Sequence, residues 1–227
     1  MDITSKLKIL DRIYAIYDKF AASLEPACKQ YCDHCCTSGV ILSTLEGYKI
    51  IERLSADPQT DTIQRIRCAS EINRLRPRIT TNRLAQLCAD GADPPQEADN
   101  MDLPACPLLR DHQCPIYELR PYGCRCLVSR HNCGDQGYAE IDDFVLSVNT
   151  VFLQTIEHVD AGGCSGNLVD VVQALSIENN RKAYCRSALH CSANKLIPNQ
   201  PLEVLMIPPE HRREMEPILQ ELRQITV

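Results

Sequence analysis

Between Cys28 and Cys36 the chain places four cysteines in nine positions, as Cys28-x3-Cys32-x2-Cys35-Cys36. A second cysteine-rich run, "CPLLRDHQCPIYELRPYGCRC", spans residues 106–126 and carries Cys106, Cys114, Cys124 and Cys126. Such thiols can be disulfide partners, metal ligands, a nucleophile with its neighbours, or small apolar core residues. If residues 28–36 were helical, the four cysteines would share one face, as a core stripe would. Lys29, Gln30, Asp33 and His34 lie between them with no Leu, Ile or Val, so packing alone explains the run poorly and metal ligation is favoured. Cys106 and Cys114 each precede a proline, a pairing found in iron–sulfur ligand runs. Arg110, Arg120 and Arg125 could offset thiolate charge, although each taken singly reads as a solvated surface residue.

Thiol-only donors suit Zn²⁺ or an iron–sulfur cluster. Only one C-x2-C pair is present, Cys32 and Cys35, whereas structural zinc sites usually pair two. The seven candidates Cys28, Cys32, Cys35, Cys36, Cys106, Cys114 and Cys124 exceed the four ligands of one zinc. Two cubanes would need eight thiolates, and Cys126 or Cys133, weaker candidates, could complete the set. The reading therefore favours a [4Fe–4S] cluster, one or two per chain, with Zn²⁺ as the alternative. Cys28-x3-Cys32-x2-Cys35 is also the spacing of radical S-adenosylmethionine enzymes. Cys36 offers an immediate fourth ligand, however, and no strand–helix alternation supplies a barrel for the nucleotide. Full protein ligation without that cofactor is expected.

The two blocks together resemble the YkgJ-type cysteine-cluster family, described as zinc- or iron-chelating domains and often labelled Fe–S oxidoreductases. The resemblance rests on "CKQYCDHCC", a Ser-x-x-Glu helix start, and "CPLL…CPIYELRPYGCR". It covers roughly residues 28–126 and implicates the same seven cysteines. The segment at about 60–104, Cys126, Cys133, Cys164, Cys185 and Cys191 are extra to the pattern. The resemblance implies a site rather than a reaction.

Composition narrows the class. The 227 residues carry a net charge of −6, with three Phe, eight Tyr and no Trp, which disfavours a nucleic-acid binder. The N-terminus is charged throughout and lacks a signal-peptide core, and no stretch suits a membrane span. A reducing cytoplasm is expected, where structural disulfides are rare. A protein redox partner is the expected contact, with no nucleic acid and no membrane.

The elements that must position the thiols read as mainly α, enclosing two irregular cysteine-rich segments and leaving room for one short strand pair. Apolar spacing predicts helices over 4–24, 44–54, 60–75, 81–90, 140–159 and 167–190, and a last one opened by Pro209. Ser43 and Glu46 form an expected capping box. Gly91 stops the fourth helix, and 92–104 is a Pro-rich acidic loop. "GGCSG" (162–166) reads as a helix–helix turn, and Leu202–Ile207 as a short strand. Cys88 is expected in a core with Leu84 and Leu87, Cys68 is expected to be structural, and Cys164, Cys185 and Cys191 stay open between buried thiols and a second centre. His34, His112 and His131 are expected at the surface. The organisation is one domain over 1–227. A bipartite metal-binding core at 28–126 carries a helical insertion at about 60–104, and a C-terminal helical part follows at 140–227.

Overall fold

A computed structural model describes residues 1–29, 31–55, 61–97 and 102–225. The chain opens with α1 (Ile3–Ala22), whose N-cap Asp2 accepts the backbone N–H of Ser5. Strand β1 (Ile41–Ser43) leads straight into α2 (Thr44–Ser55), followed by α3 (Thr62–Cys68) and α4 (Thr81–Ala89). Two one-turn helices, α5 (Tyr122–Arg125) and α6 (Cys133–Gln136), precede the long α7 (Asp143–Val159). Strand β2 (Cys164–Asn167) then runs directly into α8 (Leu168–Ser176), and α9 (Glu178–Cys185), β3 (Ile197–Pro198) and α10 (Arg212–Arg223) complete the chain. The architecture is mainly helical, with one small antiparallel sheet in the order β1-β2-β3.

The apolar periodicity sorts into two packed clusters. One joins Leu42, Ile50 and Ile51 of β1 and α2 to Val169, Val172 and Leu175 of α8, with Ile66 of α3 against them. The other joins Leu10, Ile13 and Tyr17 of α1 to Val148 and Phe152 of α7 and Met215 of α10. Tyr122 enters this second cluster, its ring stacked on Phe152 at 5.7 Å and edge-on to Tyr17 at 4.8 Å. The expected capping box is present: Ser43 N–H donates to Glu46 Oε2 at 2.8 Å, and Glu46 N–H donates to Ser43 Oγ at 3.3 Å.

The described residues of 28–36 are irregular, as expected of this segment, while four expectations about other elements are corrected. Cys32 N–H and Cys36 N–H close four-residue turns onto the carbonyls of Lys29 and Asp33, and Tyr31 sits at φ 77, where no helix can continue. The "GGCSG" stretch supplies β2, the central strand, because its residues pair with β1 on one side and β3 on the other. Leu202–Ile207 is not a strand; the pairing falls earlier, at Ile197 and Pro198. The helix expected over 167–190 is two helices. Ile177 is extended between them, and the side chains of Asn180 and Arg181 donate to the last carbonyls of α8, at Ala174, Leu175 and Ser176. The stretch expected at 60–75 is helical only to Cys68, its first residue lying outside the described residues, as do 98–101 of the Pro-rich loop.

Cys88 and Cys68 are exposed, contrary to expectation. The inner face of α4 is set by Asn82 and Ala85 instead. Asn82 donates through its backbone to Glu157 and through its amide to the carbonyls of Gln154 and Gln200, which turns Cys88 outward. Cys164 and Cys191 are bonded to each other, so neither is a free thiol. The expectation of uniformly reduced cysteines fails at this pair.

Candidate metal centre

All seven predicted cysteines line one cleft, with a cavity volume of about 80 Å³. Cys28, Cys32, Cys35 and Cys36 come from the irregular segment after α1, and Cys106, Cys114 and Cys124 from the second run. Cys126 and Cys133 are not among its lining residues. Among the described residues, no three His, Cys, Asp or Glu side chains are arranged to hold one metal ion. The donor chemistry of the cleft thus suits a thiophilic metal, and the side-chain positions do not form a finished coordination shell.

The two cysteine runs are held together through their backbones. Cys106 N–H donates to Cys36 O at 2.8 Å, and Ser38 N–H donates to Pro104 O at 2.8 Å, flanking the Thr37–Ala105 bridge. Arg110 and Gln113 exchange backbone hydrogen bonds across a two-residue turn. Asp111 and His112 in that turn both have positive φ, as a tight hairpin turn of this kind demands. The turn carries His112 to the rim, where its Nδ1 lies 2.8 Å from Asp33 of the first run. His34, His112 and His131 are all exposed, as the sequence suggested. On the far side, Arg65 of α3 clamps the second run by donating to Pro107 O and Leu109 O.

Cys124 is placed by a buried acid. Glu46 Oε1 accepts the Tyr122 N–H at 2.6 Å and the Tyr14 hydroxyl at 2.7 Å, while Oε2 holds the start of α2. One carboxylate thereby fixes α1, α2 and the first residue of α5, two positions before Cys124. Gly123 makes the close approach feasible, since a Cβ there would lie 2.5 Å from Ile41 O of β1. At the other end of the cleft, Cys28 Sγ accepts the Ser129 N–H at 3.3 Å.

Burial dominates the thiol electrostatics. It pushes Cys28, Cys106, Cys114 and Cys124 above the ordinary thiol range, and Cys126 to about 12. Cys36 runs the other way because the neighbouring Cys35 thiol donates to it, and Cys35 rises in return. Free of metal, most of these thiols are protonated near neutral pH. Cys36 stands within electrostatic reach of Cys106, Cys114 and Cys124, and Cys28 within reach of Cys32, Cys35 and Cys133.

The three arginines separate. Arg110 remains half-exposed and pairs with Asp61. Arg125 is not the solvated residue expected: its side chain is 12% exposed, lies over the Tyr14 ring, and donates to Arg120 O, Glu118 O and Asp18. Arg120 lines the cleft itself, 3.6 Å over the Tyr117 ring and donating Nε–H to Tyr117 O. Sequence reasoning missed Tyr31, Tyr117 and Leu168 as cleft residues. The "IYELRP" run itself held the signal for Tyr117, three residues after Cys114.

The chain matches no family model, no curated protein and no solved structure. The YkgJ-type resemblance accordingly rests on the cysteine runs quoted above. Among the described residues no helix is long and apolar enough to cross a membrane.

Proposed function

We propose that the protein is a cysteine-ligated metal protein, and that its centre is of the iron–sulfur type in a redox or electron-transfer role. The observation that carries this reading is the meeting of seven thiols, from segments some seventy positions apart, around one cleft. A bound [4Fe–4S] group would supply one-electron chemistry there. Four of Cys28, Cys32, Cys35, Cys36, Cys106, Cys114 and Cys124 would hold one such group, and a second group would draw on the rest. In this reading the chain is a protein of the YkgJ type, the compartment is the cytoplasm, and the contact is a protein redox partner. A second reading takes Zn²⁺ in a stabilising role within a protein-binding module. It is favoured by the packing of Cys106, Cys114 and Cys124 against the larger apolar cluster, where a metal would brace the fold.

Anaerobic purification followed by iron, sulfide and zinc analysis separates these. Matched iron and acid-labile sulfide, both falling in Cys32→Ser and Cys124→Ser, is the expected result. Stoichiometric zinc in a colourless protein would install the second reading, and no metal of either kind would defeat both.

A further inference from the structure

The cleft has a charge bias opposite to that of the molecule. The chain carries 30 acidic against 24 basic residues, yet among the described residues no Asp or Glu lines the cleft, while Lys29 and Arg120 do; His112, which also lines it, is paired at the rim with Asp33. Arg120 is the innermost of the three, half-buried where Lys29 and His112 are exposed. Among the described residues no carboxylate pairs with Arg120, and its stacking on Tyr117 and its Nε bond leave the two terminal NH2 groups of the fork without a protein partner. The remaining walls are apolar: Val40, Leu108, Ile116, Leu127 and Leu168. Tyr31 stands exposed at the rim, held at positive φ. Backbone strain of this kind in a side chain that packs little is found at ligand sites.

We propose that this cleft binds a small organic anion, with an apolar body against the Leu108–Leu168 wall and one oxyanion head in the fork of Arg120. A guanidinium matches carboxylate or phosphate through two parallel hydrogen bonds. A basic cleft in an acidic molecule also concentrates such ligands against the general field. The proposal deepens the metal-centre reading by naming the substrate class of that cleft.

The test is calorimetric titration of the full chain, with metal content measured on the same samples. The probes are 4-phenylbutyrate, its neutral amide, and 2-phenylethyl phosphate. The acid is expected to bind at least tenfold more tightly than the amide, Arg120→Gln to abolish that preference, and Arg120→Lys to keep part of it. Tighter binding of the phosphate than of the carboxylate assigns the head as phosphate, and the reverse order assigns a carboxylate. Acid and amide binding alike to the wild type, or a preference that survives Arg120→Gln, overturns the proposal. Loss of metal in Arg120→Gln, with no acid preference in the wild type, would also overturn it. That outcome makes Arg120 a counter-charge to metal-bound thiolates and leaves the metal reading standing. Absent metal with the acid preference intact sinks the metal reading alone.

Discussion

The cysteines of this protein occupy two regions built on different terms. At the cleft, seven thiols sit on turns and one-turn helices, free of disulfide bonds and held in place from outside. Glu46, Arg65 and the Cys36–Cys106 backbone bond do the holding. At β2, Cys164 lies in regular structure and is covalently tied to Cys191 across 27 residues. Around that bond Asp160 accepts the Thr44 and Tyr184 hydroxyls and the Leu45 N–H, and Thr44 Oγ1 in turn accepts the Cys164 N–H. The contrast separates two uses of sulfur. A covalent staple needs only its partner, whereas thiols kept available for another ligand need a scaffold that positions them without consuming them.

The largest expected effect comes from removing that scaffold. Glu46→Ala leaves the Tyr122 N–H, the Ser43 N–H and the Tyr14 hydroxyl unpaired in a buried setting. At about 1–3 kcal/mol for each, the loss should be about 3–9 kcal/mol. Denaturant unfolding should show it, and metal uptake should fall because α5 no longer has a fixed start. An equal loss of stability with metal uptake intact would break the claim that Glu46 places Cys124.

Cys164→Ser should act on the other region. Opening a loop of this length costs roughly 3–4 kcal/mol in the chain-entropy account. Metal content should stay at the wild-type value, since the bonded pair does not line the cleft. If metal is lost with the disulfide, the two regions are one unit.

A third and smaller effect is pH-dependent. Burial raises Asp160 from the ordinary carboxyl range to about 6. The folded protein therefore holds this proton more tightly than the unfolded chain does. The resulting stability is fully present below the usual carboxyl value and is lost as pH rises through about 6. The wild type should gain on Asp160→Asn by about 2 kcal/mol as pH is lowered from 7 to 4.5, read by paired denaturant unfolding curves. A difference that is flat with pH would mean that the carboxyl titrates in the ordinary range.

Much of the helical frame was legible in the sequence because its signals are local. Asp2, the Ser43–Glu46 box and Pro209 mark helix starts, and the apolar spacing of α1 and α7 marks their buried faces. The cleft was legible as a set of residues, since both thiol runs stand among polar neighbours that set them apart from the apolar core pattern. What escaped depends on contacts distant in sequence. Nothing near "GGCSG" shows that β1 and β3 will flank it, and the pairing of Cys164 with Cys191 follows from that sheet. Cys88 misled because Asn82, a polar residue, takes the inward position through partners at Gln154, Glu157 and Gln200. Arg125 misled similarly: its partners Asp18 and Tyr14 lie on α1, more than a hundred positions earlier.

The central claim is that the seven cleft thiols serve bound metal, in one or two centres, as a group. Differential alkylation of the anaerobically purified protein, read by mass spectrometry before and after chelation, tests it most directly. Cys68, Cys88 and Cys185 are exposed and should be labelled in both states. Cys28, Cys32, Cys35, Cys36, Cys106, Cys114 and Cys124 should be protected before chelation and should become reactive together after it. Reactivity of the seven that is indifferent to chelation, or that emerges piecemeal with no metal released, would contradict the account.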